Sequence, residues 1–332
     1  MNNDIDSNAK KVVKFSTVIP MYNKQSTIRR ALYSVLEQST NVNCDEVIII
    51  DDGSTDESVA VVVSIKQQFP NRSITLHHQA NAGVSAARNK GVELAKNEYI
   101  TFLDADDSYE PNYFKEINTL ANRFPEAAML ATGYRFVNVS EGSKRKANFV
   151  GLSVDDYQLL SDYFYSSAKG DLPVISSTAC IKKDVLKSIG GFPVGESMGE
   201  DQAVWSQLAL TNLVAISKKV CANYFVDINN SLMHTEPATG EMPFSKRLQT
   251  QLDQHKIPTK FRSSVECYIS GHLLDLVRRN IQSGNLVIAN DLIKDKRTKV
   301  QYKRWSYWCA QVYARCLISK GGLVQEQNSN SH

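Results

Sequence analysis

At 332 residues, with 42% hydrophobic and 22% charged residues, the chain is long enough for one large domain and a smaller one, with a sizeable core. No run approaches the ~18 apolar residues of a membrane span, and the polar start from Met1 to Lys11 lacks the apolar stretch of a secretory signal, so the expected compartment is the cytosol. The net charge of +3 hides an asymmetry: Pro243 to Lys320 carries 15 Lys and Arg against 5 Asp and Glu, and the remainder is net negative, which excludes nucleic-acid binding by the chain as a whole.

Lys14 to Ile19 reads as a strand broken by Pro20-Met21-Tyr22-Asn23, and a helix follows with Ile28, Ala31, Leu32, Val35 and Leu36 on one face. The apolar run Val47 to Ile50 ends in Asp51-Asp52-Gly53-Ser54-Thr55-Asp56-Glu57 and leads to a second helix carrying Val59, Val62 and Val63. Within that loop, Ser54 and Glu57 have the spacing of a capping box. A third strand, Ser73 to His77, passes through Asn81-Ala82-Gly83 into a helix with Val84, Ala87, Gly91 and Ala95. The fourth, Tyr99 to Leu103, runs into Asp104-Ala105-Asp106-Asp107. Strands alternating with helices of this length predict a mostly parallel, Rossmann-like sheet with helices on both faces, and the polar loops then collect on one rim, where such sheets bind ligands.

Farther on, a helix is expected around Phe114, Ile117, Ala121 and Phe124, a long strand over Ala128 to Val139, and a charged loop over Glu141 to Ala147. Tyr157 to Phe164 reads as helical and Thr178 to Ile181 as a strand. The helix Lys183 to Ile189 ends at Gly190-Gly191-Phe192-Pro193, and Gly199-Glu200-Asp201 opens another, with Ser197 and Glu200 spaced as a capping box. Beyond about Leu232 the chain is helix-rich and basic, and Trp305, Trp308, Cys309, Val312, Cys316 and Leu317 share one helical face. The six cysteines are scattered without metal-ligand spacing and read as reduced structural thiols.

Read by themselves, Asp104 and Asp106 fit either a turn that caps a helix or a pair of ligands for a hard divalent cation and the phosphate oxygens it bridges. Asp51 and Asp52 can accept hydrogen bonds from a nucleobase imide or a ribose, and Arg88 is a cation on an otherwise small face. Asp107 reads as the cap of the following turn.

Taken in order, Val18-Ile19-Pro20-Met21-Tyr22-Asn23, Asp51 to Asp56, Asn81-Ala82-Gly83 through Asn89, Phe102 to Asp107, Gly190-Gly191-Phe192 and Gly199-Glu200-Asp201 resemble inverting glycosyltransferase family 2, with its GT-A fold. The resemblance, to a non-processive bacterial type, spans Val18 to about Asp201. It implies a nucleotide site from Pro20, Tyr22, Asn23, Asp51, Asp52 and Ala105, a nucleotide or diphosphate contact from Arg88, and a ribose and metal contact from Asp104. It further implies Mn²⁺ or Mg²⁺ on Asp106 and Asp104 with His234 as a third ligand, Asp201 as catalytic base, and Glu200 positioning the base or acceptor. The expected organisation is a GT-A catalytic domain over 12–231, divided into a nucleotide-binding half (12–107) and an acceptor half (108–231), and a basic helical extension over 232–325.

The partners implied are a nucleotide-sugar donor, a glycan or lipid-linked acceptor and, through the C-terminal helices, an anionic membrane surface at the inner face of the plasma membrane. Against the membrane reading stands the simpler one, that the aromatic face packs on protein. Self-association is left open. The competing functional reading is a catalytically silent nucleotide-sugar-binding scaffold. Gln301-Tyr302-Lys303-Arg304-Trp305 matches a Gln-x-x-Arg-Trp motif of processive family members, but it lies 100 residues past Asp201 and is read as a chance match.

Overall fold

The computed structural model describes residues 13–38, 44–196, 198–226 and 240–329, with the side chains of the last helix as far as Arg315. The chain divides into two compact units, one of residues 1–163 and 172–228, the other of 164–171 and 229–332. Segment 164–171, expected inside the 12–231 domain, therefore groups with the C-terminal unit.

The first unit begins with three strand-helix repeats and a fourth strand. β1 (Phe15–Met21), β2 (Glu46–Asp51), β3 (Ile74–His78) and β4 (Tyr99–Phe102) pair in parallel in the order β3-β2-β1-β4, linked by α1 (Ile28–Leu36), α2 (Ser58–Gln68) and α3 (Val84–Leu94). β1, β2 and β4 are buried throughout, which is why they read as mostly apolar runs. Along β1 the side chains alternate. Phe15 and Ile19 join a core with Ile28, Leu32 and Val35 of α1, while Val18 points the other way, onto α3.

Gly91 makes that second contact possible: a Cβ built there would lie 2.2 Å from Val18 Cγ1. Gly91→Ala must push α3 off the sheet or force Val18 from its rotamer, at a cost of about 1–3 kcal/mol. The expected result is a thermal midpoint lowered by about 2–4 °C for each kcal/mol lost. An unchanged midpoint in a calorimetric scan would show that the helix shifts freely.

The rest of this unit comprises β5 (Ser108–Tyr109), α4 (Tyr113–Arg123), β6 (Met129–Asn138), β7 (Ser143–Lys146) and β8 (Tyr157–Leu159). α5 (Tyr163–Lys169) starts at its boundary, and β9 (Ala179–Lys182), α6 (Lys183–Ser188), α7 (Glu200–Thr211) and β10 (Val214–Val226) follow. β9 is antiparallel between β4 and β6, and β10 extends the sheet parallel to β6. Phe114 of α4 packs with its ring centroid 5.6 Å from that of Phe15, in the same core as the α1 residues.

Two expectations are corrected here, and one strand is added. The charged loop at 141–147 contains β7, a hairpin partner of β6 turned at Gly142 (φ +64°); its exposed Lys and Arg suit an edge strand. Tyr157 to Phe164 does not start as a helix: β8 pairs with β10, and the helix begins only at Tyr163. β10 itself was not anticipated. Its register slips twice between Ser217 and Ala222, where Lys218 and Lys219 interrupt the alternation that marks a strand.

The second unit contains α8 (Pro243–Asp253), α9 (Arg262–Gln282), α10 (Leu286–Lys294) and α11 (Tyr302–Ser329). Trp305, Trp308, Cys309 and Val312 of α11 pack against Leu274, Val277, Ile281, Ala289 and Ile293. Four residues of the expected aromatic face thus pack on the unit's own core, with Tyr302, Tyr307 and Tyr313 exposed; the side chains of Cys316 and Leu317 lie outside the described residues. The Gln-x-x-Arg-Trp residues are also engaged locally: Gln301 donates to the Cys267 carbonyl, Arg304 to Gln301, and the Trp305 indole to the Ile293 carbonyl. Among the described residues no helix is long and apolar enough to cross a membrane.

Candidate functional site

Parallel strands place the loops after β1, β2, β3 and β4 on one edge, and hydrogen bonds between these loops lock them together. The Asn23 amide (φ +51°) donates to Ser54 Oγ at 2.9 Å, and its side-chain oxygen accepts from the Thr55 amide at 2.8 Å. This use of Ser54 replaces the expected capping box. α2 starts at Ser58, with its amide bonded to Asp56 Oδ1.

Asp51 and Asp52 end β2 almost fully buried. Asp51 accepts from the Ser54 amide at 3.1 Å and lies 2.9 Å from His78 Nδ1. Asp52 accepts from Gln79 Nε2 and from the Ala82 and Gly83 amides, at 2.7, 2.9 and 2.8 Å. Its carboxylate therefore shapes the loop that enters α3. Pro20 lies within β1, while Tyr22 leaves an exposed ring at the rim.

Arg88, on α3, holds the acidic cluster together. One outer nitrogen pairs with Asp104 Oδ1 and the other with Glu200 Oε1, each at 2.8 Å, and only 4% of the side chain is exposed. Burial by itself would lower its pKa; Asp104, then Glu200, outweigh that and raise it above the ordinary arginine range. Arg88 is thus a buried bridge between the β4 loop and the start of α7. The adjacent Asn89 exchanges two hydrogen bonds with the Phe192 backbone, and a side chain at Gly191 (φ +72°) would strike Asn89 at 2.5 Å. Phe192 in turn lies 5.2 Å from Phe102 and 5.8 Å from Trp205. This packing brings Arg88-Asn89 and Gly190-Gly191-Phe192 together in space.

α7 opens after Gly199, whose φ of +78° sets the entry turn, with Glu200 and Asp201 in its first turn. The Ser197 half of the expected capping box lies outside the described residues. Asp201 Oδ1 accepts from the Gln202 amide at 2.6 Å. Burial and then Glu200 push the Asp201 pKa up to about 7, against the opposing pull of Arg88. A carboxylate poised near neutrality can take a proton from a hydroxyl and hold it.

Asp104 and Asp106 leave β4 partly exposed, at 29% and 22% of their side chains, and the Ala105 methyl between them is buried in the core. Asp107 is fully enclosed, accepting from Ser177 Oγ at 2.5 Å and from the Phe225 amide at 3.0 Å. It fastens the acidic loop to β10 and is not a helix cap; burial, then Asp106 and Asp104, raise its pKa well above the carboxylate range. His234 lies outside the described residues, and among these no three His, Cys, Asp or Glu side chains converge as metal ligands. The donor set still suits a hard cation: Asp104 Oδ2 and Asp106 Oδ1 accept no hydrogen bond among the described residues, and Mg²⁺ characteristically takes one or two carboxylates plus phosphate oxygens and water. Sequence reading missed Lys24 and Arg30, which reach Asp106 from the α1 side. The one local signal was a lysine directly after Tyr22-Asn23.

An α/β sheet of this order, with an acid-rich strand end facing an acidic helix start across a buried arginine, defines a sugar-transferase architecture of the GT-A type. Residues 16–190 match the model of Glycosyl transferase family 2, and the chain belongs to that family. It is 41% identical over 108 residues to the uncharacterized glycosyltransferase YibD of Escherichia coli, a match covering 32% of this chain and 30% of that protein. It is 39% identical over 106 residues to the minor teichoic acid biosynthesis protein GgaA of Bacillus subtilis, covering 31% and 24%. The chain thus spans less than a third of the length of either relative. Among solved structures, S. aureus TarS 1–349 in complex with UDP-GlcNAc shares the fold, with a TM-score of 0.62, 15% identity and 92% of each chain covered.

Proposed function

We propose that this chain is an inverting glycosyltransferase that moves a sugar from a nucleotide sugar, a UDP-sugar, to an acceptor hydroxyl in cell-surface polysaccharide synthesis. The observation that carries the proposal is Asp201, held near a neutral pKa at the head of α7 and tied through Glu200 and Arg88 to the Asp104 and Asp106 loop. Asp201 takes the acceptor proton as the bond to the anomeric carbon forms. Glu200 is engaged by Arg88 and serves position, so the cluster supplies one base and no second carboxylate nucleophile, as inversion requires. Asp104 and Asp106 would hold Mn²⁺ or Mg²⁺, which when bound stabilises the negative charge of the departing diphosphate. The UDP-GlcNAc complex of the TarS fold and the teichoic acid role in GgaA's name support this donor and setting. The place of action is the cytoplasmic side of the membrane, where lipid-linked acceptors are presented.

The test is UDP binding with and without Mn²⁺, followed by calorimetry. Wild-type protein is expected to bind UDP more tightly with the metal, and Asp106→Asn to lose most of that gain, about 10-fold or more. Absence of any metal-dependent nucleoside diphosphate binding in the wild type would remove the proposal.

A further inference from the structure

Lys24 occupies the carboxylate assigned to the metal. Its ammonium lies 2.7 Å from Asp106 Oδ2, and the two side chains are 20% and 22% exposed. The Lys24 backbone is fixed: its amide donates to Ser58 Oγ at 2.7 Å, and its carbonyl accepts from the Thr27 and Ile28 amides at 3.0 and 2.9 Å. Asp106 is fixed as well, because its carbonyl accepts from Arg30 Nη2 at 2.5 Å and the Arg30 guanidinium stacks 3.6 Å above the Phe225 ring. Between two anchored backbones, the movable part is the four-carbon lysine stem.

A divalent cation and an ammonium on one half-buried carboxylate repel each other at a distance where solvent screens weakly. A lysine is suited to yield, being a compact charge on a flexible stem. The charge balance also changes on loading: a divalent cation offsets Asp104 and Asp106, and the donor's diphosphate then adds negative charge that a nearby monocation would neutralise.

We propose that Lys24 is an exchangeable counter-ion, paired with Asp106 in the metal-free protein, displaced by the divalent cation, and then available to the diphosphate that arrives with it. This rests on the metal assignment made under the proposed function, and its test separates the two. Mn²⁺ binding to the full chain without nucleotide is read from the electron paramagnetic resonance of free Mn²⁺, using wild type, Lys24→Met, Lys24→Gln and Asp106→Asn. Both Lys24 variants are expected to bind Mn²⁺ about 10-fold more tightly, yet to bind UDP about 10-fold more weakly at saturating Mn²⁺. A merely structural lysine would not produce opposite signs. If Asp106→Asn weakens Mn²⁺ binding while both Lys24 variants match the wild type or bind it less tightly, the exchange is overturned and the metal assignment stands. If Asp106→Asn leaves Mn²⁺ binding unchanged, both fall.

Discussion

Asp201→Asn is expected to lower the rate of sugar transfer by about 10²–10⁴-fold, the range for losing a general base, while leaving UDP and Mn²⁺ binding unchanged. The substitution keeps the shape of the side chain and removes its capacity to accept a proton. Because burial and Glu200 raise the Asp201 pKa to about 7, the wild-type rate should climb with pH and level off above that value. The residual rate of the variant should lack this rise. The same shift has a consequence for stability. A folded-state pKa above the unfolded one means the native protein holds the extra proton, so this contribution is fully present below the ordinary carboxylate value and is lost as pH rises toward 7. At pH 8 the variant should therefore unfold at a temperature no lower than the wild type. Loss of donor binding in step with turnover, or a pH rise that survives the substitution, would assign the proton to another group.

Removing Arg88 should damage both stability and the pH profile. Its guanidinium is 4% exposed and pairs with a Glu200 side chain that is 11% exposed, so Arg88→Ala strands a charge with little access to water. Truncating one partner of a buried pair costs about 3–5 kcal/mol, and the lower end applies here because Asp104, at 29% exposed, keeps part of its hydration. The cost would appear as a lower midpoint in urea at unchanged slope. Arg88 also draws the Asp201 pKa downward, ahead of the Gln202 amide, so in its absence the rise in rate moves to higher pH. Arg88→Lys should recover only part of either effect, because an ammonium cannot reproduce the planar fork that meets two carboxylates at once. A variant as stable as wild type with an unmoved pH profile would show that the bridge contributes nothing.

What could be read locally was read well where polar residues interrupt an apolar strand. Asp51-Asp52 at the end of β2 and Asp104 to Asp107 after β4 announce themselves because a parallel strand buried on both faces has no other place for carboxylates than its ends. The Gly199-Glu200-Asp201 helix start was equally legible, since it is encoded within a few residues. β10 was not, because two register slips and paired lysines erase the period-two pattern over the span where it would show. Asp107 was misread for a different reason: whether a carboxylate caps a turn or is enclosed depends on Ser177 and Phe225, 70 and 118 residues away.

The amino-acid sequence by itself determined the strand-helix alternation, the edge on which the acids gather and the family to which the chain belongs, since each is set by spacing over a few turns of chain. Tertiary structure alone decided how those acids are used. Arg88 meets partners 16 and 112 residues away, Lys24 meets Asp106 across 82, and Asp52 closes on a loop 30 residues later. Such pairings follow from strand order and helix packing, which bring distant side chains within 3 Å and wholly or partly out of water, where their charges govern one another.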